Sequence, residues 1–260
     1  MNVSVVTSCS IAGWNQYGRR FVETFDKFWP ADIPLYVVSE DALPCLPDHG
    51  GRKFVPLDLN LSTEFAAFSN RHKSNARAHG LRAGMKATVM DKRHGYNFKM
   101  DAVRFSKKVF AVGMATQLVP AGRLIWLDAD VVTIDYVPHK FLSTLPPDNY
   151  AVAYLGRKNY HSECGFVSYN LDHPATRPFI DRYVGTYTTD KVFKLSAWDD
   201  CAVFDHVRAA KGVPSFSISS PTNYTHHPFV HSPLGQYMDH LKGRRKGQAS
   251  SPEHPVLRGR

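Results

Sequence analysis

Two hydrophobic periods alternate along this chain. Short runs at 3–7, 35–38, 124–127 and 150–154, a Gly-led segment at 163–170 and a last one at 215–218 read as strands. Between them, Phe21, Val22, Phe25 and Phe28 recur at helical spacing, and Pro30 ends that helix. Residues 98–118 read as a second helix, with Val103, Val109, Phe110 and Val112 apolar and Arg104, Lys107 and Lys108 between them. Residues 174–187 and 199–210 read as two more. Strand, helix, strand at the start opens a βαβ unit. The expected class is therefore α/β, with a mostly parallel sheet of the nucleotide-binding type flanked by helices. Ligands of such sheets lie beyond the carboxyl ends of the strands, so the loop after Val6 is either a candidate site or an ordinary connection.

The remaining segments are less regular. Residues 8–18 are polar and contain Gly, residues 43–60 hold Gly and Pro, and both read as loops, the second with a short strand at 53–55. Residues 62–96 are helix-rich and basic, a solvated face in preference to a phosphate patch. Residues 131–137 hold a turn and a short helix or strand. The tail has no apolar period to fold on its own. It divides the chain into a domain at 1–224 and a basic arm at 225–260, and cutting after Gly235 is expected to leave a folded, inactive protein.

With 260 residues, 43% of them hydrophobic and 21% charged, the chain suits one larger globular domain. The net charge of +9 favours acidic partners such as nucleotide phosphates, nucleic acid or an anionic surface, or else serves solubility. Four scattered cysteines without a CxxC pair argue against structural zinc and for free thiols in a reducing compartment. The start has no charged region followed by a long apolar core, and no apolar segment is long enough to span a bilayer. A cytoplasmic location, bacterial or viral in a host cell, is the expectation.

The chemistry concentrates at Leu124-Ile125-Trp126-Leu127-Asp128-Ala129-Asp130. Two carboxylates at the end of a buried strand are costly unless something pairs with them. Their spacing puts them on one side of an extended chain, where they suit Mg²⁺ or Mn²⁺. The alternative is that Asp130 only caps a turn. Near the other end stands His240-Leu241-Lys242-Gly243-Arg244-Arg245-Lys246. A His can complete a carboxylate metal site, Gly243 allows backbone to approach a ligand, and Lys246 offers a charge for phosphate. The alternative is a basic tail with an incidental His.

These motifs resemble those of GT-A glycosyltransferases, and most of all the retaining nucleotide-sugar transferases of glycosyltransferase family 8. Asp128-Ala129-Asp130 is similar to the family's DxD. The strand Glu163-Cys164-Gly165-Phe166-Val167-Ser168-Tyr169-Asn170-Leu171 is similar to its Gly-containing strand ending in Asn-Leu. Trp198-Asp199-Asp200 resembles its acidic element before a helix, and His240-x-x-Gly243-x-x-Lys246 its HxxGxxK. Gly247-Gln248 replace the usual Pro-Trp, Glu163 stands where Asn is common, and Asp200 stands for Gln.

The resemblance implies a GT-A, Rossmann-like, mixed and mostly parallel sheet, with the C-terminal arm over the site. It implies Mn²⁺ or Mg²⁺ held by Asp128, Asp130 and His240, with Asp128 also meeting the ribose. His231 competes with His240, whose downstream spacing fits better. Gly243 and Lys246 would meet the diphosphate, Arg104 the donor, and Thr7 and Tyr17 the base. Asp199 or Asp200 would face the transferred sugar as the catalytic carboxylate. The implied activity is transfer of a hexose from a nucleotide sugar, expected to be a UDP-sugar, to an acceptor hydroxyl on a glycan or on modified DNA. Two other readings compete. A non-catalytic nucleic-acid or anion-binding protein explains the charge but not the Asp pair. A metal-dependent phosphoryl transferase or hydrolase explains the Asp pair but has no GxxxxGK[ST] loop here.

Overall fold

The computed structural model describes residues 2–42, 46, 53–82, 95–210, 212–219 and 227–242. The elements follow in the order β1 (Val3–Cys9), α1 (Ile11–Gly13), a π-helical turn (Trp14–Gly18), α2 (Arg19–Phe28), β2 (Leu35–Ser39), β3 (Phe54–Asp58), α3 (Thr63–His72) and α4 (Ala102–Leu118). Then come β4 (Arg123–Leu127), β5 (Val131–Thr133), α5 (His139–Ser143), β6 (Val152–Leu155), β7 (Glu163–Asn170), α6 (Thr176–Thr188), α7 (Asp200–Ala210), β8 (Ser215–Ser217) and β9 (Met238–His240). Seven strands form one sheet in the order β3-β2-β1-β4-β7-β6-β8. The pairs β3-β2, β2-β1, β1-β4 and β6-β8 are parallel, and β7 runs antiparallel to both its neighbours.

Side chains of a strand point alternately to its two faces, and here each face meets its own apolar layer. Val6, Leu124 and Trp126 join one cluster with Phe68, Phe110, Tyr187 and Phe204 of the helices. Val5, Ile125 and Leu127 join the other, with Phe21, Val22 and Phe25 of α2. Both faces are covered, as a mostly parallel sheet requires. No helix among the described residues is long and apolar enough to cross a membrane.

Three segments differ from their sequence pattern. In the polar stretch 8–18, Ser8 and Cys9 extend β1 and residues 11–18 are helical rather than loop. Ser10 Oγ accepts the Gly13 N–H at 3.1 Å as a cap, and the π turn inserts a wider spacing that hides the helical period. The strand expected at 53–55 runs to Asp58 despite Pro56, because β3 is an edge strand that tolerates a missing donor. The helix expected from Phe98 starts at Ala102, where the Asp101 carboxylate caps it by accepting the Arg104 N–H at 3.0 Å.

The tail also builds into the body. The boundary expected at 224/225 lies outside the described residues. Beyond it, β9 pairs antiparallel with β5, with Val131 opposite His240. Phe229, Leu234, Met238 and Leu241 are all fully buried. Leu234, Met238 and Leu241 stand at helical spacing, yet they fall in a 3-10 turn, a strand and the residue after it, so the pattern of the tail does not indicate this packing.

Candidate active site

The parallel strands β1, β2, β3 and β4 end on one edge of the sheet, and that edge carries the polar residues. Ser8, Ser10, Glu40, Asn60, Asp128 and Asp130 line a cleft of about 750 Å³ there. Asp128 follows β4 directly. Its backbone N–H donates to the Gly165 carbonyl at 3.0 Å, and its own carbonyl accepts from Val131 at 3.0 Å. This turn points both carboxylates to one side. Opposite, the β5-β9 ladder and the Leu241 N–H bonded to the Asp130 carbonyl at 3.0 Å bring His240 in from the tail.

His240 is buried among carboxylates. Its Nε2 stands 2.8 Å from Asp130 Oδ1 and 3.5 Å from Asp128 Oδ2. Its Nδ1 stands 3.3 Å from Glu163 Oε1. Burial opposes charge on the ring, but the Asp130 carboxylate outweighs it and pushes the imidazolium up to about 9. Ligand atoms of Asp128, Asp130 and His240 lie within 4.8 Å of one another. Two hard oxygens and one imidazole nitrogen on one side of a cleft fit Mn²⁺ or Mg²⁺ as a donor set. His231 is exposed and lies outside this group.

Glu163 is itself buried and surrounded by cations. Its Oε2 receives Lys242 Nζ at 2.5 Å, with His227 Nε2 at 3.7 Å and Arg157 at 3.9 Å. Its Oε1 accepts the Gly165 N–H at 3.0 Å. Burial works against its charge. The bond from His240 and the Lys242 ammonium outweigh burial and hold the carboxyl well below the usual range.

A lysine whose side chain is only 12% exposed joins the Asp pair to the acidic element before α7. Lys108 Nζ lies 3.0 Å from Asp128 Oδ1, 2.7 Å from Asp200 Oδ2 and 2.5 Å from the Cys164 carbonyl. Burial opposes its charge, but the two carboxylates raise its pKa well above the ordinary value. Trp126 Nε1 donates to the same Asp128 oxygen at 2.7 Å. Asp128, Lys108 and Asp200 also line a second cleft of about 890 Å³, with Asp199, Cys164, Cys201 and Glu163. The two clefts therefore share a wall.

The other sequence candidates fall at different depths. Tyr17 and Arg104 line the first cleft. Burial and the charge of Asp130 push the Tyr17 phenol up to about 12. Arg104 Nη1 donates to the Tyr96 hydroxyl at 3.3 Å. Thr7 is buried below the cleft floor, its Oγ1 has no hydrogen-bond partner among the described residues, and its neighbour Ser8 is the lining residue. Asp199 caps α7 by accepting the Ala202 N–H at 3.0 Å and lines the second cleft only. Gly243 and Lys246 lie outside the described residues.

Sequence reasoning missed Lys108, Lys242 and the part played by Glu163. Lys108 carried a signal. It stands three, four and seven residues before Ala111, Val112 and Ala115, on the buried stripe of α4. A lysine on such a stripe needs a buried anion. Lys242 and Glu163 carried none, because their pairing depends on how the tail docks against β7.

This mixed α/β fold is shared with solved glycosyltransferases. The structure is similar to the apo form of mouse xyloside xylosyltransferase 1, with a TM-score of 0.51 at 10% identity, over 84% of this chain and 86% of that one. It is also similar to the apo glycosyltransferase GlyE of Streptococcus pneumoniae TIGR4, with a TM-score of 0.50 at 10% identity, over 84% of this chain and 45% of that one. No protein-family model and no curated protein matches the sequence.

Proposed function

We propose that the protein transfers a sugar from a nucleotide sugar, expected to be a UDP-sugar, to an acceptor hydroxyl, with Mn²⁺ or Mg²⁺ held by Asp128, Asp130 and His240. One observation carries the reading: Asp128, on the wall shared by two clefts, converges with Asp130 of the first cleft and with the buried His240 imidazole on the carboxyl edge of the sheet. A donor and an acceptor need two such spaces meeting at one point.

In this reading the nucleoside occupies the first cleft, beside Tyr17 and Arg104 and above Thr7. Asp128 meets the ribose as well as the cation. Gly243 and Lys246 are assigned to the diphosphate on sequence alone. The transferred sugar lies at the shared wall and the acceptor in the second cleft. As the sugar–phosphate bond breaks, its electron pair leaves with the diphosphate and positive charge builds on the anomeric carbon. In this reading Asp199 or Asp200 offsets that charge. The acceptor oxygen then bonds to the same carbon, and its proton passes to the leaving diphosphate. Lys108 keeps Asp128 and Asp200 at fixed spacing and cancels their mutual repulsion. A bound cation would stabilise the charge on the leaving diphosphate.

The test is product analysis with a panel of nucleotide sugars and Mn²⁺, in wild type and Asp130→Asn. Metal-dependent release of nucleoside diphosphate, abolished by the substitution, is the expected result. Undiminished release in Asp130→Asn would sink the metal assignment. Sugar phosphate or inorganic phosphate as the product would favour a hydrolase.

A further inference from the structure

The mouth of the second cleft exposes aromatic rings among cations. Phe98 is 53% exposed and Tyr160 71% exposed, and both line this cleft. Lys99, beside Phe98, and Lys158, two residues before Tyr160, are exposed and have no carboxylate partner among the described residues. Large rings left in water need a reason.

The segment carrying Tyr160 is anchored. Arg157 donates to the carbonyls of His161 at 2.6 Å and Ser162 at 3.1 Å. Asp205 accepts the Ser162 N–H at 2.7 Å and its hydroxyl at 2.6 Å. Asn159 takes a left-handed φ of 61°, a turn that Asn tolerates. Tyr160 is thus held outward by a braced turn.

The positive edge continues on the far side of the 97–100 turn. Trp198 N–H donates to the Lys99 carbonyl at 2.7 Å. Beyond it lies a hollow of about 390 Å³ lined by Arg77, Arg82, Tyr96 and Trp198. The Arg77 guanidinium stacks 5.0 Å from the Trp198 ring. Arg77 and Arg82 are exposed, again without a carboxylate partner among the described residues.

We propose that this rim docks a single-stranded polynucleotide as the acceptor. Bases stack on Phe98 and Tyr160, and phosphates follow Lys99, Lys158, Arg77 and Arg82. Exposed rings can meet open base faces only where bases are unstacked, which a duplex does not offer. A neutral glycan would leave four cations without counter-charge. The net charge of +9 supplies the long-range attraction. The acceptor role rests on the transferase reading above; binding does not.

The experiment measures anisotropy of a labelled single-stranded DNA of about 12 nucleotides, a length within the range of known single-strand sites. Its duplex and heparin serve as competitors, with the full chain over a salt series. Tyr160→Ala and Phe98→Ala are each expected to weaken single-strand binding about 5- to 100-fold. Lys99→Ala with Lys158→Ala is expected to flatten the salt slope by about 0.7 per lysine. Lys140→Ala, on α5, serves as the control and is expected to change neither. Equal affinity for duplex, or no effect of the ring substitutions, would overturn the proposal in favour of diffuse charge attraction. Heparin binding without DNA binding would overturn it in favour of an anionic glycan. No binding at low salt would overturn it outright. Melting shifts with Mn²⁺ and UDP in the same variants separate the two readings. Their absence beside ring-dependent DNA binding would remove the transferase reading alone.

Discussion

Glu163 Oε1 lies 3.3 Å from His240 Nδ1, on the side of the ring away from the Asp pair. A carboxylate there fixes which way the imidazole faces and leaves Nε2 aimed at Asp128 and Asp130. Glu163→Gln keeps the shape and removes the charge. It is expected to weaken Mn²⁺ binding about 10- to 100-fold, as outer partners of metal-binding histidines do. Calorimetric titration of Mn²⁺ checks this without any turnover. Unchanged affinity would leave Glu163 as a partner of Lys242 only.

The same imidazole links metal binding to pH. In the metal-free protein burial opposes its charge, but Asp130 raises its pKa to about 9, above the unfolded value of about 6.5. The stabilisation from the charged ring is therefore complete below about 6.5 and is lost as pH rises through about 9. Wild type should lose more melting temperature than His240→Gln between those limits. A metal must displace that proton. Mn²⁺ affinity should then rise about tenfold per pH unit and level off above about 9. Flat affinity across the range would exclude His240 as a ligand.

Lys108 sits in a mostly buried place between Asp128 and Asp200. Lys108→Met leaves two carboxylates without their cation and should cost about 3–5 kcal/mol. Adding Asp200→Asn to Lys108→Met should restore part of the loss, because the double variant buries one charge fewer. Urea unfolding of the four proteins in this cycle gives the coupling energy. Additive losses would show that Lys108 and Asp200 act independently.

What was legible in the sequence followed from how local each signal is. The central strands β1, β2 and β4 showed as apolar runs because both faces are buried, and α2 showed because Phe21, Val22 and Phe25 repeat on one side. Asp128-x-Asp130 stood out because carboxylates at the end of a buried strand contradict their surroundings. Residues 8–18 stayed hidden because a π turn breaks the period. The cage around His240 stayed hidden for another reason. Glu163, His227, His240 and Lys242 come from β7 and the tail, and only tertiary docking makes them neighbours.

Removing the tail tests that docking. The sequence pattern suggests that a chain cut after Gly235 stays folded. The buried positions of Met238 and Leu241 argue otherwise. Loss of β9 strips the ladder from β5 and exposes Val132 and Ile134, which pack with Leu241. Full burial of each such side chain contributes about 1.5–3 kcal/mol, so the cut should cost at least about 3 kcal/mol for Met238 and Leu241 together. A chain cut after Lys242 retains β9 and His240. It should melt close to the full chain and still bind Mn²⁺ through Asp128, Asp130 and His240. Thermal melts of both truncations decide the matter. If the shorter form melted with the full chain, β9 would be an attachment to the fold and not part of it.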